Sequence, residues 1–300
     1  MTSDPLDRLR LESTPAMPRK GFADELERRI REALSAPEDL DVSERSTRPA
    51  GTARRAPAAE MIGDTTGPDR ATLVRQESLS QTLDAVEELA FENRTLSLDV
   101  RRFVARWIAA RQGLPQAKSG TFAGFPSELR DGVVVFTGER FTRASARHVL
   151  GEEACRVLRW LDVHEPEVEG ALERADRGLT AAVAHAEHDP RYGNNPGAYC
   201  CTKCTVGMWR NLVSGGLDRH EERLRRGAGQ FLRSRRGEGR WRSFPFWYTV
   251  LALTEMDVPE ARDELEFVAP ALEPTARRAA PEDTYGQRRH EVASRALSVL

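Results

Sequence analysis

The sequence predicts an all-α fold, and three observations carry that prediction. Helical periodicity is nearly continuous after Thr72, the chain holds a single β-branched run, and prolines recur where the second helix of a hairpin would begin. Helices are expected near 78–94, 98–111, 127–137, 144–162, 166–187, 199–213, 219–235, 246–256, 258–270 and 284–298. The β-branched run is Val133 to Phe136. An isolated strand of that length has no visible partner, so the run reads as buried helix and strand content is expected near zero.

Residues 1–70 read differently from the rest. Gly21 to Leu34 has an apolar stripe of Phe22, Leu26, Ile30 and Leu34, which predicts a short amphipathic helix able to dock a partner. From Ser43 to Arg70 large apolar side chains are almost missing, too few to offset an ordering cost of about 1–2 kcal/mol per residue. The division is therefore a mostly disordered tail over 1–70, with its helix at 21–34, and a helical domain over 71–300. The 45 basic and 47 acidic side chains leave a formal charge of −2, without the positive field of a nucleic-acid binder. The longest nearly unbroken apolar run, Phe244 to Leu253, is about half of the roughly 20 residues a membrane span needs. A soluble, cytoplasmic chain is expected.

An internal repeat orders the helices. Arg226-Gly227, Phe231-Leu232, Arg236 and Gly239-Arg240-Trp241 recur as Arg102, Trp107-Ile108, Gln112 and Gly120-Thr121-Phe122. A looser copy is Arg174-Ala175, Leu179-Thr180, Ala184 and Gly197-Ala198-Tyr199. Pro126, Pro196 and Pro245 accompany the three copies, at positions suited to a first helical turn. The pattern resembles the QW repeat of the α/α-toroid superfamily of terpenoid cyclases and protein prenyltransferases, over roughly residues 99–270. Residues 226–241 depart from it only at Arg236, where the family has Gln, and residues 102–122 keep Gln112 but end in Phe122. The resemblance implies two concentric layers of helical hairpins around an apolar cavity for a hydrophobic, isoprenoid ligand. About five pairs are available, fewer than a full ring, which predicts an incomplete toroid. The Asp-x-Asp-Asp and Asp-Asp-x-x-Asp motifs of the cyclases are missing from the sequence. Protein prenyltransferases hold zinc with Asp, Cys and His, and the Cys lies at the start of an inner helix.

Tyr199-Cys200-Cys201-Thr202-Lys203-Cys204 occupies that position and aligns with Tyr248-Thr249-Val250-Leu251-Ala252-Leu253 of the next repeat. Cys200 and Cys204 share a helix face at i and i+4, and Cys201 and Cys204 approach at i and i+3. Zinc wants about four ligands, and His185, His188 and Asp189 are the nearest further donors in sequence. Cys200, Cys201 and Cys204 are thus candidate metal ligands and catalytic thiols. A reactive thiol pair helped by Lys203, or plain packing, are the other readings. Cys155 is expected in the core. Arg143, Arg147 and His148 at a helix start are candidate ligands for a diphosphate. Glu152, Glu153, Glu255 and Asp257 read as charged helix surface. Trp107, Trp160, Trp209, Phe244, Phe246, Trp247 and Tyr248 are either core or the lining of an aromatic cavity. The expected activity is prenyl or group transfer at a zinc-thiolate centre. A non-catalytic repeat module with a protein in its concave face and a redox-responsive thiol protein are the alternatives.

Overall fold

A computed structural model describes residues 70–190 and 197–300, and the expected tail and its helix at 21–34 lie outside them. The described residues are mostly helical: α1 (Arg70–Leu73), α2 (Leu79–Phe91), α3 (Leu98–Ala109), α4 (Pro126–Asp131), α5 (Arg143–Leu161) and α6 (Pro166–Glu187). There follow α7 (Thr202–Val213), α8 (His220–Ala228), α9 (Phe231–Ser234), α10 (Phe246–Glu255), α11 (Pro259–Ala276) and α12 (Thr284–Ser298). Local chemistry explains the boundaries. The Ser78 and Ser97 hydroxyls accept from the backbone of the first turns of α2 and α3, as Asp283 does for α12. Pro126, Pro166 and Pro259 open α4, α6 and α11.

Three expectations need correction. Val133–Val134 is not helix: it forms β1, paired antiparallel with β2 (Arg140–Phe141) in the register Val133 to Phe141. The reversal between them is set at Gly138, where φ is +86°, with Gly138 N–H donating to Val135 O at 2.7 Å. A second two-residue pair, β3 (Arg235–Arg236) with β4 (Arg240–Trp241), ends the helix expected over 219–235, which also breaks between α8 and α9. Finally, α11 runs past Pro270 to Ala276. Both of its internal prolines, Pro270 and Pro274, are exposed, so the carbonyls they leave unpaired face water.

The repeat has a physical counterpart. Gln112 bridges Phe122 and Arg235 pairs with Trp241, so two copies close with a short antiparallel contact before the next helix starts. Gln112 also donates to Gly120 O and accepts from Arg174 of α6, and Trp241 donates to Glu264 of α11 at 2.8 Å. Five helices pack in a circuit: α2 on α5, α5 on α7, α7 on α10, and α10 on α12. Arg288 of α12 then reaches Asp84 of α2 at 2.8 Å. On the other side α3 packs on α6, α7 on α8, α8 on α11, and α11 on α12. Some of the aromatic side chains form one cluster, with ring centroids 5.9 Å apart for Trp209 and Phe244, 5.2 Å for Trp209 and Phe231, and 4.8 Å for Phe231 and Trp241. Cys155 is fully buried, as expected of a core residue.

Where the circuit of helices meets, the side chains are charged. The Arg210 side chain of α7 is 2% exposed and lies 2.6 Å from Glu153 of α5, 3.1 Å from Glu87 of α2 and 3.0 Å from Glu255 of α10. Arg156 adds contacts of 2.8 Å to Glu87 and 2.7 Å to Glu255, and the Tyr248 hydroxyl donates to Glu153. Glu153 is therefore interior and not helix surface. Three carboxylates face two guanidiniums, and Glu153 takes up the imbalance: burial raises its pKa to about 7, against the pull of Arg210.

Two outcomes follow from this network. Arg210→Ala should destabilise the fold by about 3–5 kcal/mol in chemical denaturation, because three buried carboxylates lose their shared partner. As pH rises from 4.5 to about 7, the unfolded chain releases the Glu153 proton while the folded chain keeps it, so stability falls across that window. Glu153→Gln should flatten this slope, by up to roughly 3 kcal/mol in the difference between pH 4.5 and 7.5, as read by denaturant titration at each pH.

Candidate metal centre

The helices α5 and α7 lie side by side and run the same way. Glu152 is against Gly207, Glu153 reaches Arg210, and Arg159 donates to Asn211 at 2.6 Å. Followed back toward the two N-termini, this ladder leads from the ionic network to His148 on α5 and Cys204 on α7. Each is five or six residues before its network partner, about 8 Å along the axis. The site is therefore one end of a seam whose middle is held by charge.

Preceding α7, the chain is tied down by Thr205. Its hydroxyl accepts from Tyr199 N–H at 2.9 Å and donates to Tyr199 O at 3.0 Å, and Trp209 Nε1 donates to Gly197 O at 2.9 Å. Cys200 is held at φ +61°, and Cys201 is the extended N-cap of α7. The outcome is a compact turn that brings Cys200 beside Cys204. One ligand atom from each of His148, Cys200 and Cys204 lies within 4.8 Å of the others, a group able to hold a metal ion. The Tyr199 ring stacks on the His148 imidazole with centroids 5.1 Å apart and planes 18° from parallel, which fixes the ring's plane. Cys201 is exposed, with its Sγ 3.5 Å from Cys204 Sγ.

The polar atoms here lack what such atoms normally have. Both ring nitrogens of His148 and both carboxylate oxygens of Glu152 are buried without a hydrogen-bond partner. Glu152 is one helical turn beyond His148, on the same face of α5. It fits against α7 because Gly207 has no side chain: a Cβ there would stand 2.2 Å from Glu152 Oε2. Burial raises the Glu152 carboxyl well above the usual range, with Glu153 and Cys201 adding to the effect. Burial, then the nearby Lys118, pushes His148 down to about 4, so its imidazole is neutral at pH 7, the form that binds metal. Among the thiols, hydrogen bonds from Cys200 and Cys204 hold Cys201 well below the ordinary range, while Cys204 is pushed up.

The structure thus redistributes the residues singled out in the sequence. Cys200, Cys201 and Cys204 come together. His148 joins them and not a phosphate cradle, while Arg143 and Arg147 are exposed at the start of α5. His185 and His188 are also exposed near the end of α6, where His188 Nδ1 is 2.8 Å from Ala184 O, and neither is in the group. Glu152 is buried in the site and not on the surface. Its sequence signal was the i, i+4 pair His148 and Glu152, which places a nitrogen donor and a carboxylate on one helix face.

Among the described residues, no helix is long and apolar enough to cross a membrane. No family model, no curated protein and no solved structure matches the chain, so the arrangement of its own residues is the ground for a functional reading.

Proposed function

We propose that the protein is a zinc-dependent group-transfer protein whose metal is held by His148, Cys200 and Cys204. The observation that carries this reading is a buried neutral imidazole with neither nitrogen paired, grouped with two thiols inside a 4.8 Å circle. Leaving a buried polar group without a partner costs on the order of 1–3 kcal/mol, and two such groups at one place call for a ligand. Thiolate and imidazole donors select zinc among the common divalent metals. Three protein ligands leave one tetrahedral position, and a metal there supplies activation of a thiol or a water as nucleophile. Glu152 supplies a carboxylate that such a cation would draw in, and its two free oxygens make it the donor next in line.

Two further features support the finer reading. The circuit from α2 through α5, α7, α10 and α12 back to α2 agrees with an α/α-toroid-like arrangement, and the closures at Gln112 with Phe122 and Arg235 with Trp241 agree with a QW-like repeat. The cysteines then stand at the start of an inner helix, as in the prenyltransferases the sequence resembles. An apolar ligand along the axis is not part of the reading, because Arg210 and its carboxylates occupy the meeting point of the inner helices. The acceptor reacts at the rim, beside the exposed Cys201.

Elemental analysis of the purified full-length chain tests the reading directly. About one zinc per chain is expected, with cobalt substitution giving the sulfur-to-metal charge-transfer bands of a tetrahedral thiolate site. His148→Ala and Cys204→Ser should each take the zinc content to near zero while far-ultraviolet circular dichroism stays that of a helical fold, and Glu152→Gln should weaken affinity about 10–100-fold. A chain that neither carries zinc nor melts at a higher temperature when zinc is added would overturn the proposal.

A further inference from the structure

We propose that Cys201 and Cys204 are a site of reversible oxidation, closing to a disulfide under peroxide and thereby withdrawing Cys204 from the metal. This rests on the zinc reading for its consequence, though not for the disulfide itself. Three features of the cluster point to it. The two sulfurs are 3.5 Å apart, in contact, whereas a disulfide needs about 2.05 Å, a closure that side-chain rotation within one helical turn can supply. Their exposures are opposite: Cys201 is open to solvent and meets the oxidant, and Cys204 is buried and meets only its neighbours. Their roles differ too, because Cys204 belongs to the group of metal-ligating atoms and Cys201 does not.

The alternatives within the cluster are less favourable. Cys200 and Cys201 are adjacent in sequence, so a link between them would close a strained ring through their peptide bond. Cys155 is fully buried in α5, where an oxidant does not reach it. Cys201 also occupies the N-cap of α7, outside the regular helix, so turning its side chain toward Cys204 leaves the helix's own backbone ladder in place.

The step balances with a peroxide as the only co-reactant. The Cys201 thiolate attacks one peroxide oxygen, forming an S–O bond as the O–O bond breaks, and hydroxide leaves to be protonated as water. Cys204 sulfur, released from the metal, attacks the sulfenic sulfur of Cys201. The S–S bond forms, the S–O bond breaks, and a second water leaves. Two thiols are oxidised by two electrons, one peroxide is reduced to two waters, and the metal departs as the dication. A dithiol reductant reverses the link and restores the third ligand.

The test treats zinc-loaded full-length protein with dilute hydrogen peroxide, follows zinc release with a chromogenic chelator, and maps cysteine links by peptide mass spectrometry. Expected are a Cys201 to Cys204 link, release of the bound zinc in step with it, and recovery of zinc binding after dithiothreitol. Cys201→Ser, a conservative change at an exposed N-cap, should keep its zinc and release it at least about tenfold more slowly under peroxide. The inference is overturned if the Cys201→Ser protein is purified without zinc, if it releases zinc as fast as the unaltered chain, or if the link maps to another pair. The two readings fail separately. A zinc-loaded chain that forms no link loses the disulfide and keeps the metal, and a zinc-free chain that still links Cys201 to Cys204 keeps the disulfide and loses the metal.

Discussion

A guanidinium almost wholly withdrawn from solvent sets the arrangement on which everything else depends. Arg210 reaches a carboxylate on each of three other helices, Glu87 on α2, Glu153 on α5 and Glu255 on α10, and Arg156 ties two of those carboxylates together a second time. Apolar packing alone tolerates a helix sliding or turning by part of a residue, since one methyl group serves much like another. Charged groups buried in this way do not: a slip of one residue would strand an ion, at a cost of several kcal/mol. The network therefore fixes how α5 and α7 align, and that alignment is what sets His148 across from Cys204. The grouping of His148, Cys200 and Cys204 is a remote consequence of an ionic one.

Much of the helical framework was legible in the sequence for a simple reason. Periodic apolar residues, with proline or a serine at the start, specify a helix locally, and α6 and α12 begin and end where their patterns do. The failures occur where a partner distant in sequence decides. Val133 and Val134 become a strand because Arg140 and Phe141, beyond the turn at Gly138, fold back onto them. In the same way, Arg235 leaves the helix to pair with Trp241. Two-residue ladders lie below the length at which alternation can be recognised. Both closures fall at the end of a copy of the repeat, where the sequence leads one to expect no strand.

The candidate site divides along the same line. Three cysteines in five positions are conspicuous in any reading, and their spacing on a helix already brings Cys200 and Cys204 to one face. Their nitrogen partner was not conspicuous. His185 and His188 are nearer in sequence, but α6 carries them to exposed positions near its end, while α7 returns alongside α5 and meets His148 from across the intervening hairpin. Local context also misdirected the reading of His148: flanked by Arg143 and Arg147 it looks like part of an anion site, yet on a helix its neighbours one residue away point elsewhere. The residue that shares its face is Glu152, and that pair is the signal that a helical reading of 143–161 contains.

The same two helices carry two sets of buried polar groups, and the contrast between them is the strongest argument for a ligand. Around Arg210 opposite charges answer one another, and the surplus carboxylate, Glu153, holds a proton to about pH 7 and accepts from Tyr248 at one oxygen while the other has no hydrogen-bond partner. Next to Glu153 on α5, Glu152 and, one turn further back, His148 are also buried, yet their oxygens and nitrogens have no hydrogen-bond partner. Nor is the space there accidental, since a glycine at 207 is what admits Glu152 at all. Two unpaired imidazole nitrogens grouped with two thiols, at an edge where Cys201 is exposed, are the ground for the proposed ligand. One nitrogen and two sulfurs grouped in this way are the donor set that a thiophilic cation would take.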